Sequence, residues 1–252
     1  MMQQRLEEHR TSDRRKQVHE PTIQIKDHPL TILDRVDLTI SLEQEEYSEA
    51  LHKYKKKLHE LSWEMYDAKR STIVLFEGWD AAGKGGTIRR MTSAIDARLF
   101  RSISVAAPTD EERAQHYLWR FWRNVPRAGY ITVYDRSWYG RVLVERVEGY
   151  AQTYEWMRAY QEINTFEEQL VENGIVIIKF WLHISPEEQL RRFKEREEIS
   201  WKQYKITEED WRNREKWNEY KQAVKTMVEH TSTGHAPWSL IPANDKLFAR
   251  IE

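Results

Sequence analysis

A glycine-rich segment carries the strongest chemical signal in the chain. Residues 78–87 read Gly-Trp-Asp-Ala-Ala-Gly-Lys-Gly-Gly-Thr, and the spacing of the first glycine and the Gly-Lys pair matches a phosphate-binding loop. Glycines let such a loop turn tightly and present N–H groups to phosphate oxygens, while the following helix and Lys84 add positive charge. The alternative is an ordinary turn, but strand, loop, lysine and helix occur in the required order. We expect phosphate contacts from Gly78, Ala81, Ala82, Gly83, Lys84, Gly85, Gly86 and Thr87.

The residue after the loop lysine departs from the common pattern. A Ser or Thr hydroxyl usually binds Mg²⁺ there, but this chain has Gly85. Another oxygen must then hold the metal, and Asp80 lies inside the loop itself. A carboxylate beside phosphates is unfavourable unless a cation lies between them. We therefore predict that Asp80 is a metal ligand; the alternative is that it caps the following turn.

A second acidic residue ends a later apolar run. Asp135 follows residues 130–134 and lies where parallel sheets bind their ligands, so we predict that it holds Mg²⁺ directly or through water. Arg136 and Arg141 follow it, and they suit a transition state whose charge spreads over phosphoryl oxygens. Taken alone, Asp135 could equally form a simple salt bridge. The predicted catalytic residues are Asp80, Lys84, Asp135 and Arg136.

Residues 187–196 form a strongly charged helical segment. Arg192 and Arg196 are one turn apart, which destabilises a helix unless an anion or carboxylate lies across them. We interpret this segment as part of a lid, at about residues 185–216, that closes over phosphates and excludes water. The alternative is a solvated face with internal ion pairs.

Residues 117–123 interleave aromatic side chains with arginines. Such segments can stack a nucleobase, but aromatic residues at this spacing more often belong to a helix core. We expect the aromatic side chains to be buried and Arg120 to contact phosphate. The histidines show no paired ligand spacing, so no zinc or haem site is predicted.

Short apolar runs alternating with longer polar stretches predict an α/β fold. We expect a three-layer P-loop domain with a five-stranded parallel sheet, its strands at 72–77, 102–106, 130–135, 175–183 and 238–241. Before the sheet, an apolar stripe runs through a long helix after a capping box formed by Ser41 and Gln44. This helix is expected to pack on its own domain; the alternative is a helical dimer seam.

Length and charge bound the remaining possibilities. The 252 residues favour one domain at 41–252, preceded by a mobile extension at 1–40. Lys plus Arg number 40 and Asp plus Glu 41, so no global field attracts nucleic acid or a membrane. Residues 1–20 contain no apolar stretch, so we expect neither a secretory signal nor a membrane anchor there. The absence of cysteine excludes disulfides and thiolate sites and fits a cytoplasmic location.

The combined motifs resemble the polyphosphate kinase type 2 family. Residues 78–86, 135–139 and 189–196 carry the resemblance, which extends from about residue 41 to 250. Residues 117–123 and 141–149 are most similar to the catalytic half of polyphosphate:AMP phosphotransferases. Many of those proteins carry two such domains, whereas this chain carries one.

The resemblance implies a nucleoside-monophosphate-kinase-like fold and phosphoryl transfer from inorganic polyphosphate to a nucleotide. AMP is the expected acceptor, with ADP or guanine nucleotides as further acceptors, Mg²⁺ as cofactor, Mn²⁺ as its substitute, and a homo-oligomer, dimer or tetramer, as the assembly. By position, Arg136, Arg192 and Arg196 would neutralise polyphosphate. Two alternatives stay open: an ATP-dependent nucleoside-monophosphate kinase and a noncatalytic polyanion-binding protein.

Overall fold

A five-stranded parallel sheet forms the centre of the protein, whose computed structural model describes residues 31–200, 203 and 206–252. The strands lie in the order β2-β3-β1-β4-β5, and every neighbouring pair is parallel. Their bounds are β1 Thr72–Gly78, β2 Phe100–Ser104, β3 Ile131–Asp135, β4 Val176–His183 and β5 Trp238–Pro242. The predicted α/β class is confirmed. Strand β2 lies two residues earlier than predicted, because this edge strand is largely exposed and lacks a continuous apolar run.

Helices connect the strands and cover both faces of the sheet. Their bounds are α1 Gln44–Asp67, α2 Lys84–Thr92, α3 Asp110–Arg113, α4 Trp119–Trp122, α5 Val144–Val147, α6 Thr153–Glu172, α7 Pro186–Glu198, α8 Glu208–Glu215, α9 Trp217–Thr231 and α10 Phe248–Ile251, with 3₁₀ turns at Ile32–Arg35 and Trp138–Val142. None of the helices in the described residues is long and apolar enough to cross a bilayer.

Successive residues of β4 show why the fold has three layers. Phe180 packs against Phe76 at a centroid distance of 5.2 Å and lines a groove with α1, α2 and α10. The preceding residue, Lys179, points to the opposite face and bonds to Glu167 of α6 and the Thr231 carbonyl of α9. Because side chains alternate along a strand, helices must cover both faces to bury them.

Helix α1 packs on its own domain, as the apolar stripe predicts. Tyr47 is buried, and Leu58 and Met65 pack against the core, whereas Tyr54 and Leu61 of the same stripe are exposed. The predicted Ser41 capping box is wrong: the helix begins at Gln44 after Glu43, with no side-chain cap. Ser41 therefore lies too far before the helix for its hydroxyl to serve the first-turn N–H groups.

The predicted N-terminal extension is only partly described. Residues 1–30 lie outside the described residues. Within the remainder, Leu33 is buried, and Asp34 accepts a 2.6 Å hydrogen bond from Lys221 of α9. The 3₁₀ turn at Ile32–Arg35 therefore packs on the domain.

Candidate active site

The glycine-rich loop joins β1 to α2 and requires glycine at two positions. A Cβ on Gly78 would lie 2.6 Å from the carbonyl oxygen of Leu182 in β4, so any side chain would clash. Gly83 has φ of 113° and directly precedes α2. The first N–H groups of a helix have no partner within it and carry partial positive charge. The loop thus presents the positive end of helix α2 beside the sheet, the arrangement that suits an anion.

Lys84 is the first residue of α2, and its side chain bends back along the loop. Its Nζ donates hydrogen bonds to the carbonyl oxygens of Gly78 at 2.7 Å and Trp79 at 3.2 Å. Burial lowers the pKa of Lys84, while the carboxylates of Asp80 and Asp135 act in the opposite direction. The loop itself therefore positions this cation beside two acidic groups.

Asp80 and Arg136 form an ion pair between the loop and the residue after β3. Arg136 Nη2 donates to Asp80 Oδ1 at 3.0 Å. Burial acts to raise the pKa of Asp80, but the positive charges of Lys84 and Arg136 outweigh it, so the pKa lies below its usual value. Arg136 has φ of 64°, in the left-handed region that costs energy for a residue with a side chain. The site holds Asp80 ionised and Arg136 in a strained backbone conformation.

Two residues of the predicted lid also contact Asp80. Asn213 of α8 donates from Nδ2 to Asp80 Oδ2 at 3.0 Å, and Gln189 of α7 donates from Nε2 to the Asp80 carbonyl oxygen at 3.1 Å. The sequence analysis missed both residues, because an Asn or Gln within a charged helix carries no recognisable signal.

The Asp135 carboxylate lies directly beside the glycine-rich loop. A Cβ on Gly85 would lie 3.6 Å from Asp135 Oδ2, so this carboxylate lies beside the position that carries a hydroxyl in the common loop. Within residues 31–200, 203 and 206–252, no group donates a hydrogen bond to the side-chain carboxylate of Asp135, although its backbone carbonyl accepts one from Val105. The same residues contain no cluster of three acidic or histidine side chains that could hold a metal alone. Asp135 and Asp80 therefore fit Mg²⁺, which binds one or two carboxylates together with substrate phosphates.

A large cleft opens at the carboxyl edge of the sheet and brings most of the predicted site together. Its lining includes the predicted residues Asp80, Ala81, Ala82, Gly83, Lys84, Gly85, Gly86, Arg120, Asp135, Arg136 and Arg196. It also includes Arg89, Glu145 and Tyr150, which the sequence analysis did not identify. Four predicted residues, Gly78, Thr87, Arg141 and Arg192, are not part of this lining.

The structure places Arg192 beneath the loop rather than in the cleft. Its side chain is 2% exposed, and Nη1 donates to the carbonyl oxygens of Ala81 and Ala82 at 3.0 and 2.9 Å. Nη2 donates to the Ala243 carbonyl at 2.6 Å, and Nε bonds to Glu188 at 2.5 Å. A carboxylate and backbone carbonyls, rather than phosphate, compensate this charge, so Arg192 holds the loop in place.

Two other predicted arginines have different positions. Arg120 lines the cleft and donates to the carbonyl oxygen of Ala106 at 3.0 Å. Arg141 instead pairs with Glu145 at 3.1 Å and lies 4.6 Å from the ring centre of Tyr117. Among the aromatic residues of 117–123, which were expected to be buried, Phe121 is buried but Trp122 is 44% exposed, because the short helix α4 turns only one of its faces to the core. Arg120 thus remains a phosphate candidate, whereas Arg141 supports the cleft wall.

Glu77, the last residue of β1 before the loop glycine, is a buried carboxyl that the sequence analysis left within the strand. It accepts a 2.8 Å hydrogen bond from the hydroxyl of Ser137. Burial raises the pKa of Glu77, although this hydrogen bond and Lys84 oppose the shift. The position of this acidic residue at the end of an apolar strand, directly before the loop, could have identified it from the sequence. The contact ties the end of β1 to the segment that follows Arg136.

A buried network supports the segment after Asp135. Trp138 Nε1 and the Tyr139 hydroxyl donate to Glu167 Oε1 at 3.0 and 2.7 Å. Lys179 Nζ donates to Glu167 Oε2 at 2.7 Å and to the Thr231 carbonyl at 2.7 Å. The side chains of Lys179 and Glu167 are both fully buried. Their network fixes the turn that follows Arg136.

Comparisons with known proteins agree with this geometry. The family model described as polyphosphate kinase 2 (PPK2) matches residues 41–252. A polyphosphate:AMP phosphotransferase of Pseudomonas syringae pv. tomato is 53% identical over 90% of this chain and 46% of its own length. An ADP-polyphosphate phosphotransferase of Pseudomonas aeruginosa is 35% identical over 86% and 72%, respectively. The crystal structure of polyphosphate kinase 2 from Arthrobacter aurescens has a TM-score of 0.84 and 33% identity, covering 90% of this chain and 83% of that one.

Proposed function

The chain belongs to the polyphosphate kinase 2 family, and on this premise we propose that it transfers a phosphoryl group from inorganic polyphosphate to AMP. An oxygen of the AMP phosphate attacks the terminal phosphorus, and the bond to the penultimate phosphate breaks. The products are ADP and a polyphosphate shorter by one phosphate. This chain spans 46% of the length of the P. syringae relative, so its own activity has to be measured on this chain.

The observation that carries the proposal is the set of cations around the loop. Lys84, Arg89, Arg120, Arg136 and Arg196 all line one cleft. The same lining contains Asp80 and Asp135, which would be neutralised by Mg²⁺, and Glu145, Glu209 and Asp210. A donor with neither base nor sugar offers only repeated phosphates, and a local cluster of cations suits such a donor. The cleft also lies at a helix N-terminus, where anions are stabilised.

The relatives support the choice of acceptor. The name of the P. syringae relative specifies AMP, at 53% identity. The P. aeruginosa relative, at 35% identity, is named for ADP. We therefore propose AMP as the preferred acceptor of this chain and ADP as the principal competitor to test. Guanine nucleotides are further candidates.

Each proposed catalytic residue has a distinct task. Asp135 and Asp80 would hold Mg²⁺, or Mn²⁺ in its place, and the bound ion would neutralise charge on the phosphates. Lys84 and the loop N–H groups would bind the transferring phosphoryl group. Arg136, held by Asp80, would stabilise the negative charge that develops on the oxygens of the transferring phosphoryl group. Arg196 and Arg120 would bind the remaining phosphates.

Three sequence predictions remain part of this proposal. Residues 185–216, which contain α7 and α8, would act as a closing lid that excludes water. A homo-oligomer is the proposed assembly, and sedimentation measures it. The cytoplasmic location stays a prediction.

A donor and acceptor assay tests the function. The protein is incubated with Mg²⁺, polyphosphate and, separately, AMP, GMP, CMP, UMP, ADP or GDP, and the products are separated. A parallel series replaces polyphosphate with ATP. We expect ADP from AMP only with polyphosphate, and a rate lower by at least about 10²-fold in the Lys84→Ala variant. Product formation with ATP as donor but not with polyphosphate would identify an ATP-dependent nucleoside-monophosphate kinase. Salt-dependent binding of polyphosphate without turnover would identify a noncatalytic binding protein.

A further inference from the structure

We propose that Asn213 is a positioning residue, which holds the Asp80 carboxylate in one orientation and thereby strengthens metal binding at the cleft. The inference rests on the proposed function, because it takes Asp80 as a metal ligand. Asn213 lies 133 residues after Asp80 in the sequence, on helix α8, and lines a smaller pocket beside the large cleft together with Asp80 and Arg136. Its amide contacts the Asp80 carboxylate directly, so we place its action on that carboxylate rather than on substrate.

Two donors act on the two oxygens of this carboxylate. Arg136 binds Oδ1 and Asn213 binds Oδ2, each at 3.0 Å. The terminal torsion of an aspartate is broad, so a single hydrogen bond leaves the carboxylate free to rotate. With a donor on each oxygen, one orientation is selected, and each oxygen retains a lone pair. Asn213 thus supplies the second point of attachment.

Tyr220 of α9 supports the orientation of the Asn213 amide. Its hydroxyl lies 3.3 Å from Asn213 Oδ1, as donor to an acceptor, which turns Nδ2 toward Asp80. Burial raises the pKa of Tyr220, so this hydroxyl keeps its proton. Tyr220 and Asn213 thus form a chain of two donors that ends on the Asp80 carboxylate.

The next residue of α8 acts on the main chain of Asp80. Arg214 Nη1 donates to Gln189 Oε1 at 3.1 Å, and Gln189 Nε2 donates to the Asp80 carbonyl oxygen at 3.1 Å. Residues 213 and 214 therefore control the side chain and the backbone of the same loop residue. By this route the position of α8 is coupled to the metal-binding carboxylate.

A merely structural role for Asn213 would be to dock α8 on the domain. A matched contact performs that role one residue earlier: Arg212 Nε donates to Glu148 Oε2 at 3.2 Å, and Lys216 binds the same oxygen at 3.1 Å. Arg212→Gln removes a docking contact of α8 without touching Asp80. It is therefore the control for Asn213→Leu, which removes the donor to Asp80 and keeps a side chain of similar size.

Metal binding is measured without turnover. Mn²⁺ is titrated into each variant at saturating AMP and without polyphosphate, so that a nucleotide phosphate can complete the metal site, and free Mn²⁺ is followed by electron paramagnetic resonance against a control that contains AMP alone. The Mg²⁺ concentration that gives half-maximal rate and the KM for AMP are measured in parallel. Loss of groups that orient metal ligands typically costs about tenfold to a hundredfold in metal affinity.

We expect Asn213→Leu to weaken Mn²⁺ binding about tenfold or more and to raise the half-saturating Mg²⁺ concentration, with the KM for AMP unchanged. Arg212→Gln should bind Mn²⁺ like the wild type. Equal Mn²⁺ affinity in wild type and Asn213→Leu, or equal weakening by Arg212→Gln, would overturn the proposal, as would a wild type that binds no Mn²⁺. This titration needs no turnover. Its result therefore tests the role of Asn213 even if the protein does not transfer phosphate from polyphosphate to AMP.

Tyr220→Phe provides a milder second variant in case Asn213→Leu does not fold. It should weaken Mn²⁺ binding in the same direction but less, because the amide remains and only its support is lost. In the Asn213→Leu background, Tyr220→Phe should have no further effect on Mn²⁺ affinity. Additive effects of the two substitutions, or no effect of Tyr220→Phe alone, would contradict the chain of donors.

Discussion

The ammonium group of Lys84 lies 2.7 Å from the carbonyl oxygen of Gly78, so one side chain links the two ends of the glycine-rich loop. The lysine is thereby placed before any substrate arrives. A preorganised cation stabilises charge that develops during transfer without having to rearrange at that moment. This relationship makes Lys84 the most direct test of the proposed chemistry.

Lys84→Ala and Lys84→Met should lower the rate of ADP formation by at least about 10²-fold, because the charge that stabilises the transferring phosphoryl group is lost. Initial rates at saturating polyphosphate and AMP measure the loss. The melting temperature controls for folding and should change by only a few degrees. A variant with near wild-type rate would place the phosphate elsewhere.

Asp80→Asn and Asp135→Asn should each lower the rate by at least about 10²-fold, because Gly85 offers no hydroxyl to replace a lost metal ligand. Raising the Mg²⁺ concentration should restore the rate only in part. The rate of each variant is measured across a Mg²⁺ series. Unchanged metal dependence in both variants would exclude these carboxylates as the metal site.

Arg196→Gln and Arg192→Gln should have different effects, although the two arginines are one helical turn apart. Arg196 lines the cleft, so its loss should raise the KM for polyphosphate more than that for AMP, increasingly with longer chains. Polyphosphate of graded length, titrated at saturating AMP, measures this dependence. Equal length dependence in wild type and Arg196→Gln would remove Arg196 from the donor site.

Arg192→Gln should instead destabilise the protein, since Ala81, Ala82 and Ala243 lose their donor and Glu188 loses its buried partner. The expected loss in the free energy of unfolding is about 3 kcal/mol. Urea denaturation measures it. A fully stable Arg192→Gln protein with a raised KM for polyphosphate would return Arg192 to the cleft.

Lys179→Met should lower the free energy of unfolding by about 3–5 kcal/mol, because it leaves the Glu167 carboxylate buried without its cation. The double variant Lys179→Met/Glu167→Gln should recover part of this loss, since it buries no unpaired charge and keeps an acceptor for Trp138 and Tyr139. Urea denaturation of both variants and the wild type measures the difference. A double variant less stable than Lys179→Met would contradict the electrostatic explanation.

His183 should make stability depend on pH. Burial lowers its pKa from 6.5 to about 4, and Nδ1 accepts a 3.0 Å hydrogen bond from Trp79 Nε1. Between these values the unfolded chain binds a proton that the folded protein does not. The free energy of unfolding should therefore fall as the pH drops from 6.5 toward 4, by up to about 3 kcal/mol.

The variant His183→Asn retains an acceptor for Trp79 and removes the titrating group. Urea denaturation at several pH values between 7.5 and 4.5 should show a smaller loss of stability in this variant than in the wild type. Parallel curves for the two proteins would mean that His183 does not contribute to the pH dependence.

The sequence alone determined the sheet, the loop and the acids at its edge. Apolar strands, the spacing of Gly78, Gly83 and Lys84, and the position of Asp135 after a strand are local properties of the chain. Parallel strands bring their carboxyl ends to one edge, so strand order was not needed to place Asp135 near Lys84. The family resemblance rested on the same local motifs, and the match over residues 41–252 confirms it.

Only the tertiary structure decided which partner each polar side chain takes. Arg192 and Arg196 look alike in sequence, yet one is buried against loop carbonyls and the other lines the cleft. Asn213 reaches Asp80 across 133 residues. Such contacts depend on how distant segments pack, because a long polar side chain satisfies its hydrogen bonds with whatever donors or acceptors the fold brings within about 3 Å. The spacing of residues along the sequence does not predict which distant residues become their neighbours.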